Sequence, residues 1–181
     1  YQWLDNQDGA IAMFNHPNRP QSSFEYLKYQ KDLDDKIQLI EVGNGSLNSN
    51  YLDTTDYYFK ALDYGWHLAP VNSQDNHAAN WGDADNLTAI IAESPTEEDI
   101  YDAMRSRRVY STQTRNLKLE VYANGQIMGS ELNVTKGGTV SFEINASDPE
   151  EKISKIEIIS NGGKIIASKS FDKPVNTAAF H

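Results

Sequence analysis

The sequence predicts an α/β segment followed by an all-β segment, and a single change of rhythm separates the two. Up to about Thr114, short apolar runs alternate with stretches of helical spacing, as strand-helix units do. From Asn116 onward only strand-like runs remain, separated by turn residues, as in an immunoglobulin-like β-sandwich. The chain therefore divides into 1–114, α/β, and 115–181, a sandwich. The sandwich is expected to be incomplete, since about five strands are legible where about seven are normal.

The elements follow in order. Gly9-Ala-Ile-Ala-Met-Phe14 is too short for an amphipathic helix and reads as the first strand, ended by Asn15-His16-Pro17. Gln21 to Asp35 reads as a helix. Ile37-Gln-Leu-Ile-Glu-Val42 is a second strand, closed by the turn-rich Gly43-Asn-Gly-Ser46. Tyr51 to Tyr64 places Leu52, Thr55, Phe59 and Leu62 near helical spacing, with Gly65 where a C-terminal cap belongs. His67 to Val71 and Leu87 to Ala92 read as strands on either side of a polar loop, Asn72 to Asp85. Thr96 is placed to cap a helix, with Asp99 at the capping-box position and Ile100, Ala103 and Met104 as its buried stripe. Val109 to Ser111 is a short closing strand.

In the second segment Leu117 to Tyr122 alternates by face, Asn124-Gly125 signals a hairpin, and Ile127 to Leu132 is the returning strand. Thr139 to Ile144 alternates again. Ile153 to Ser160 and Lys164 to Ser168 flank Asn161-Gly-Gly163 as another hairpin.

Composition excludes several classes. No apolar run approaches the roughly 20 residues of a spanning helix, and Tyr1 to Gly9 lacks a signal peptide's basic and apolar regions. The chain is expected to begin as mature or truncated protein. A formal charge of -10 opposes electrostatic binding to nucleic acid. Without cysteine, any metal must be held by His, Asp, Glu and water. Richness in Asn, Ser and Thr leans towards a periplasmic or secreted protein.

Two histidines stand in distinctive settings. His16 follows a buried strand, and residues at the C-terminal ends of parallel strands converge on the ligand crevice of α/β sheets. Asp75 and His77, in Ser73-Gln-Asp-Asn-His77, again follow a strand, and an Asp-x-His spacing lets a carboxylate and an imidazole meet on one ion. Such donors suit Zn, Mn, Fe or Mg, which acidify bound water and polarise a phosphoryl or carbonyl oxygen. The alternative for Asp-x-His is an Asx turn bearing an exposed histidine.

These stretches, in order, resemble the PHP (polymerase and histidinol phosphatase) superfamily of metal-dependent hydrolases. The matching segments are Asn-His16-Pro-Asn, Ile40-Glu-Val-Gly-Asn-Gly-Ser46, Ala61-Leu-Asp-Tyr-Gly-Trp66, Ser73 to His77 with Asn80-Trp-Gly82, and Thr96 to Thr112. The resemblance implies part of a distorted seven-stranded βα barrel over 1–114, carrying several divalent ions and acting on a small-molecule phosphoester. It implies that His16, Asp75 and His77 are metal ligands and catalytic residues, with Glu41 near the site. The family's opening His-x-His motif has no counterpart here, so a missing N-terminal segment or a complementary chain would have to complete the barrel. The chain alone is expected to be inactive.

Other residues carry open alternatives. Arg19 is a substrate-phosphate binder or a surface arginine, and Asn44 a hydrogen-bonding group beside the site or a residue allowing a left-handed turn. Arg107 and Arg108 suit a helix C-terminus. His67 reads as a packed or surface histidine, and Asn80 and Trp81 wall the pocket or pack under the loop. Tyr51, Tyr57 and Tyr58 fit packing better than a sugar platform. The expected function is metal-dependent phosphoester hydrolysis. The alternative is an inactive scaffold whose sandwich binds polysaccharide or protein.

Overall fold

Ile37 begins a ten-residue strand, β2 (Ile37–Ser46), around which the first part of the chain is organised. Its first eight residues are buried without alternation, as a strand covered on both faces requires. It pairs in parallel with β1 (Ala12–Phe14) and β4 (Ala69–Ser73), and antiparallel with β3 (Ser49–Asp53). The computed structural model describes residues 1–20, 22–47 and 49–181. They fall into two units, Tyr1–Gln113 and Thr114–His181.

A short helix α1 (Gln2–Asp5) opens the first unit. Helix α2 (Thr55–Tyr64) packs Ala61 inward, and its C-terminal Gly65 adopts φ 107, which glycine alone reaches without strain. One core joins Phe14, Ile37, Ile40, Val42, Ala61 and Trp66. A smaller one joins Leu39, Ala69, Val71 and Val109, with Met104 of helix α3 (Glu97–Arg105) packed against it. Thr96 caps α3, its hydroxyl accepting the Asp99 N–H at 3.3 Å. Strands β5 (Leu87–Ile90) and β6 (Val109–Thr112) form a separate antiparallel pair.

The fold class expected for residues 1–114 is corrected by this arrangement. Strands account for 39% and helical segments for 19%, and the sheets do not close, so the chain is a set of open sheets and not part of a seven-stranded βα barrel. Two local conflicts explain the difference. Tyr51 to Asp53, read as helix, is the return strand β3, because β2 runs on through Gly43 to Ser46 instead of ending at Val42. The helix expected from Gln21 to Asp35 is also absent: Gln21 lies outside the described residues, and the rest forms 3-10 turns at Ser23–Leu27 and Lys31–Leu33.

The first of these turns is left-handed, with φ of 55, 55, 60 and 62 at Phe24, Glu25, Tyr26 and Leu27. Each such residue costs about 1–2 kcal/mol, so distant contacts must outweigh local preference. The buried Trp66 indole N–H donates to the Leu27 carbonyl at 2.8 Å, and the Tyr1 hydroxyl donates to the Phe24 carbonyl at 3.0 Å. The Phe14 ring lies 5.0 Å from Phe24 and 5.1 Å from Trp66.

In the second unit, β7 (Lys118–Ala123), β8 (Gln126–Ile127), β9 (Phe142–Ser147) and β12 (Thr177–Phe180) form an antiparallel sheet in the order β12-β9-β7-β8. β10 (Ile153–Ser160) and β11 (Lys164–Val175) form a two-stranded ribbon. Ile144, Ile156 and Ala178 join the two sheets in one core. The return strand expected at Ile127 to Leu132 stops after two residues, and β12 was not legible in the sequence. Among the described residues, no helix is long and apolar enough to cross a membrane.

Candidate functional site: a polar cleft at the strand ends

The carboxyl ends of β1, β2 and β4 are tied together by Glu41, which is 1% exposed. Its carboxylate accepts the backbone N–H of His16 after β1, the Asn44 amide at 3.1 Å, and the Ser73 hydroxyl at the end of β4. The Thr54 hydroxyl donates to the Glu41 carbonyl at 2.6 Å. A buried carboxylate is tolerated when its lone pairs are met in this way.

A second buried amide fixes the same strand ends. Asn72 donates to the Thr112 carbonyl at 2.9 Å and accepts the Tyr51 hydroxyl at 3.1 Å. This brings Asn72 and Tyr51 so close to Gly43 that a Cβ there would meet them at 1.8 and 2.2 Å, which is why glycine occupies the position. Asn86 holds the Gly45 carbonyl at 2.8 Å, fixing the far end of β2.

Beyond these supports opens a cleft of about 730 Å³, with Arg19, Asn44, Asp75 and His77 among its lining residues. The Asp75 carboxylate lies 3.3 Å from His77 Nε2, and the two side chains are 47% and 86% exposed. Two donors bound to one zinc-sized ion at about 2.1 Å each sit about 3.4 Å apart in a tetrahedral site, so this pair fits a shared ion. Asp75 adopts φ 50 and His16 φ 30. Backbone strain of this kind persists only where surrounding structure enforces it, and it concentrates at functional sites.

The structure thus brings Asp75, His77, Arg19 and Asn44 around one cleft. His16 is not in the cleft wall; it is linked to it through Glu41, and its half-buried ring leaves Nδ1 buried with no hydrogen-bond partner among the described residues. Among the described residues, no three His, Asp or Glu side chains gather closely enough to hold an ion. Asp75 and His77 therefore fit as two donors, without a third in place.

The remaining candidates have other settings. His67 is bound to the half of the fold it packs on, its Nδ1 2.6 Å from Asp34 and its N–H donating to the same carboxylate at 2.9 Å. Arg107 and Arg108 follow α3, with Arg107 at φ 57. Trp81 does not pack under its loop: it is 79% exposed. Glu41 was expected only near the site, and its role as the acceptor that ties the strand ends, with Ser73 and Asn72 as further supports, was missed. The available signal was a glutamate inside the otherwise apolar run Ile40-Glu-Val42.

Fold and cleft together define a sheet-rich protein of two units with a polar, strand-end site. Residues 48–141 match the family described as Protein of unknown function (DUF3604), more than half of the chain, and the chain belongs to that family. No curated protein and no solved structure matches it.

Proposed function

We propose that this chain contributes to a divalent-metal site for hydrolysis of a phosphoester, in line with its resemblance to the PHP superfamily. The observation that carries the reading is the Asp75–His77 pair, 3.3 Å apart on a cleft that also holds Arg19. Asp75 and His77 would hold the ion. His16, with an orphaned buried Nδ1 and a backbone tied through Glu41 to Ser73, is the further donor this chain offers. Remaining donors would come from water, substrate or another segment or chain. When bound, a divalent ion supplies Lewis-acid polarisation of a phosphoryl oxygen and acidifies water.

The chain's own groups do the rest. Arg19 offers a planar fork that matches two phosphate oxygens. The Asn44 amide is committed to Glu41 through its nitrogen, which leaves its carbonyl oxygen to orient a donor in the cleft. Elemental analysis and phosphoester turnover of the encoded protein test the reading. Asp75→Ala and His77→Ala are each expected to lower metal content and turnover together; unchanged metal stoichiometry in both variants sinks it.

A second reading has one observation in its favour. The β10–β11 ribbon leaves Ile159, Ile165 and Ile166 exposed, as a binding module's contact surface would. Under this reading the first unit is a scaffold, and the Asp75 and His77 variants leave every activity of the protein unchanged.

A further inference from the structure

Trp81 is 79% exposed, an indole face left in water. Its placement is built, not frayed. The Gln74 side-chain amide donates to the Asn80 carbonyl at 3.3 Å and accepts the Gly82 N–H at 3.2 Å, so one side chain brackets Trp81 from both neighbours. Asn76 reaches across the same loop to the Asn80 side chain at 2.8 Å. Gln74, Asn76 and Asn80 all line the cleft, and Trp81 follows Asn80 in the chain, on the loop that these side chains fix.

The wall itself has an unusual character. Its side chains are amides, hydroxyls, the Arg19 guanidinium, the Asp75 carboxylate and the His77 imidazole, and the methyl of Ala78 is the one apolar side chain in it among the described residues. Such a surface matches a ligand carrying many hydroxyls, while the exposed indole carried on the same loop matches a ligand with one flat apolar face. A pyranose ring has both, with its C–H groups on one face and hydroxyls around its edge. Arg19 adds a place for an anion.

We propose that the cleft and Trp81 together recognise a sugar phosphate, with the phosphate on Arg19, the hydroxyls on the amide-rich wall and the ring face on the indole. The phosphate half of this assignment rests on the phosphoester reading above; the sugar half rests on Trp81 and the wall.

Calorimetric titration of the full chain, with chelator present, tests it. The probes are glucose 1-phosphate, glucose 6-phosphate, mannose 6-phosphate, adenosine monophosphate and inorganic phosphate. At least one hexose phosphate is expected to bind about tenfold more tightly than inorganic phosphate, the scale of a good ring-stacking contact. Trp81→Ala, an exposed substitution, should cut that preference several-fold and leave inorganic phosphate binding unchanged, whereas Arg19→Ala should weaken every probe. The proposal is overturned if no hexose phosphate is preferred, if the preference is undiminished in Trp81→Ala, or if adenosine monophosphate gains more from Trp81 than the sugars do. A Trp81-dependent preference in a protein that neither binds metal nor turns over removes the hydrolase reading alone. Metal binding and turnover without the preference removes this inference alone.

Discussion

The Glu41 carboxylate accepts the backbone N–H of His16, so that a single buried side chain joins the ends of two parallel strands. Replacing it leaves the Ser73 hydroxyl and Asn44 amide without their acceptor as well. An unmet buried donor costs about 1–3 kcal/mol. Glu41→Ala should therefore lower unfolding free energy by about 3 kcal/mol, read by urea denaturation. Glu41→Gln should fall between, because it keeps one acceptor oxygen but turns an amide N–H2 towards a donor. Wild-type stability in Glu41→Ala would show that the network carries no net stabilisation.

The second unit has its own acid-sensitive point. Asp148 is 2% exposed and its carboxyl is held below the usual carboxylate range, first by the Glu151 N–H, then by the Thr114 hydroxyl, with burial opposing and the Glu150 N–H adding to the lowering. A depressed folded value means that stability is fully present above the unfolded value, about pH 4, and is lost as pH falls through the lower folded one. Asp148→Asn should flatten the acid limb of a stability-against-pH curve while lowering stability at pH 7. An unchanged acid limb would remove Asp148 from the account.

At the alkaline end the same logic runs through a phenol. Burial pushes the Tyr58 hydroxyl from 10.0 up to about 12, and it donates to the Leu68 carbonyl at 3.4 Å. Stability tied to its neutral form is intact below pH 10.0 and is lost as pH rises towards about 12. Tyr1 is raised likewise to about 12, by burial first and by the Glu25 carboxylate second. Tyr58→Phe should shrink the alkaline loss, and Tyr58→Phe combined with Tyr1→Phe should shrink it further. Stability curves that superimpose with wild type above pH 10.0 would refute the assignment.

Local signals in the sequence led to local truths. Thr96 with Asp99, and Gly65 after Tyr64, located helix ends because the groups that stop a helix lie within a turn of it. The placing of His16 and of Asp75 with His77 just after strands was legible for a similar reason: a short apolar run ends visibly. What stayed hidden depends on distant partners. Phe24 to Leu27 look helical until Trp66, some forty residues on, claims the Leu27 carbonyl. Glu41 looks like a strand residue until Ser73 and His16 converge on it. The expected barrel failed because a rhythm of strands and helices does not specify which strands pair. Among the described residues β2 takes three partners, while β5 and β6 pair only with each other.

The run from Phe24 to Leu27 reverses a familiar rule of mutagenesis. Glycine ordinarily weakens a helical turn by about 0.5–1 kcal/mol through lost backbone entropy. In a left-handed turn the same substitution also removes a steric penalty of about 1–2 kcal/mol, and at exposed Glu25 little packing is given up. Glu25→Gly is therefore expected to raise the thermal midpoint, and Glu25→Ala to leave it unimproved. Chirality, not packing, then limits this corner of the molecule, and an achiral residue is the one that fits it best.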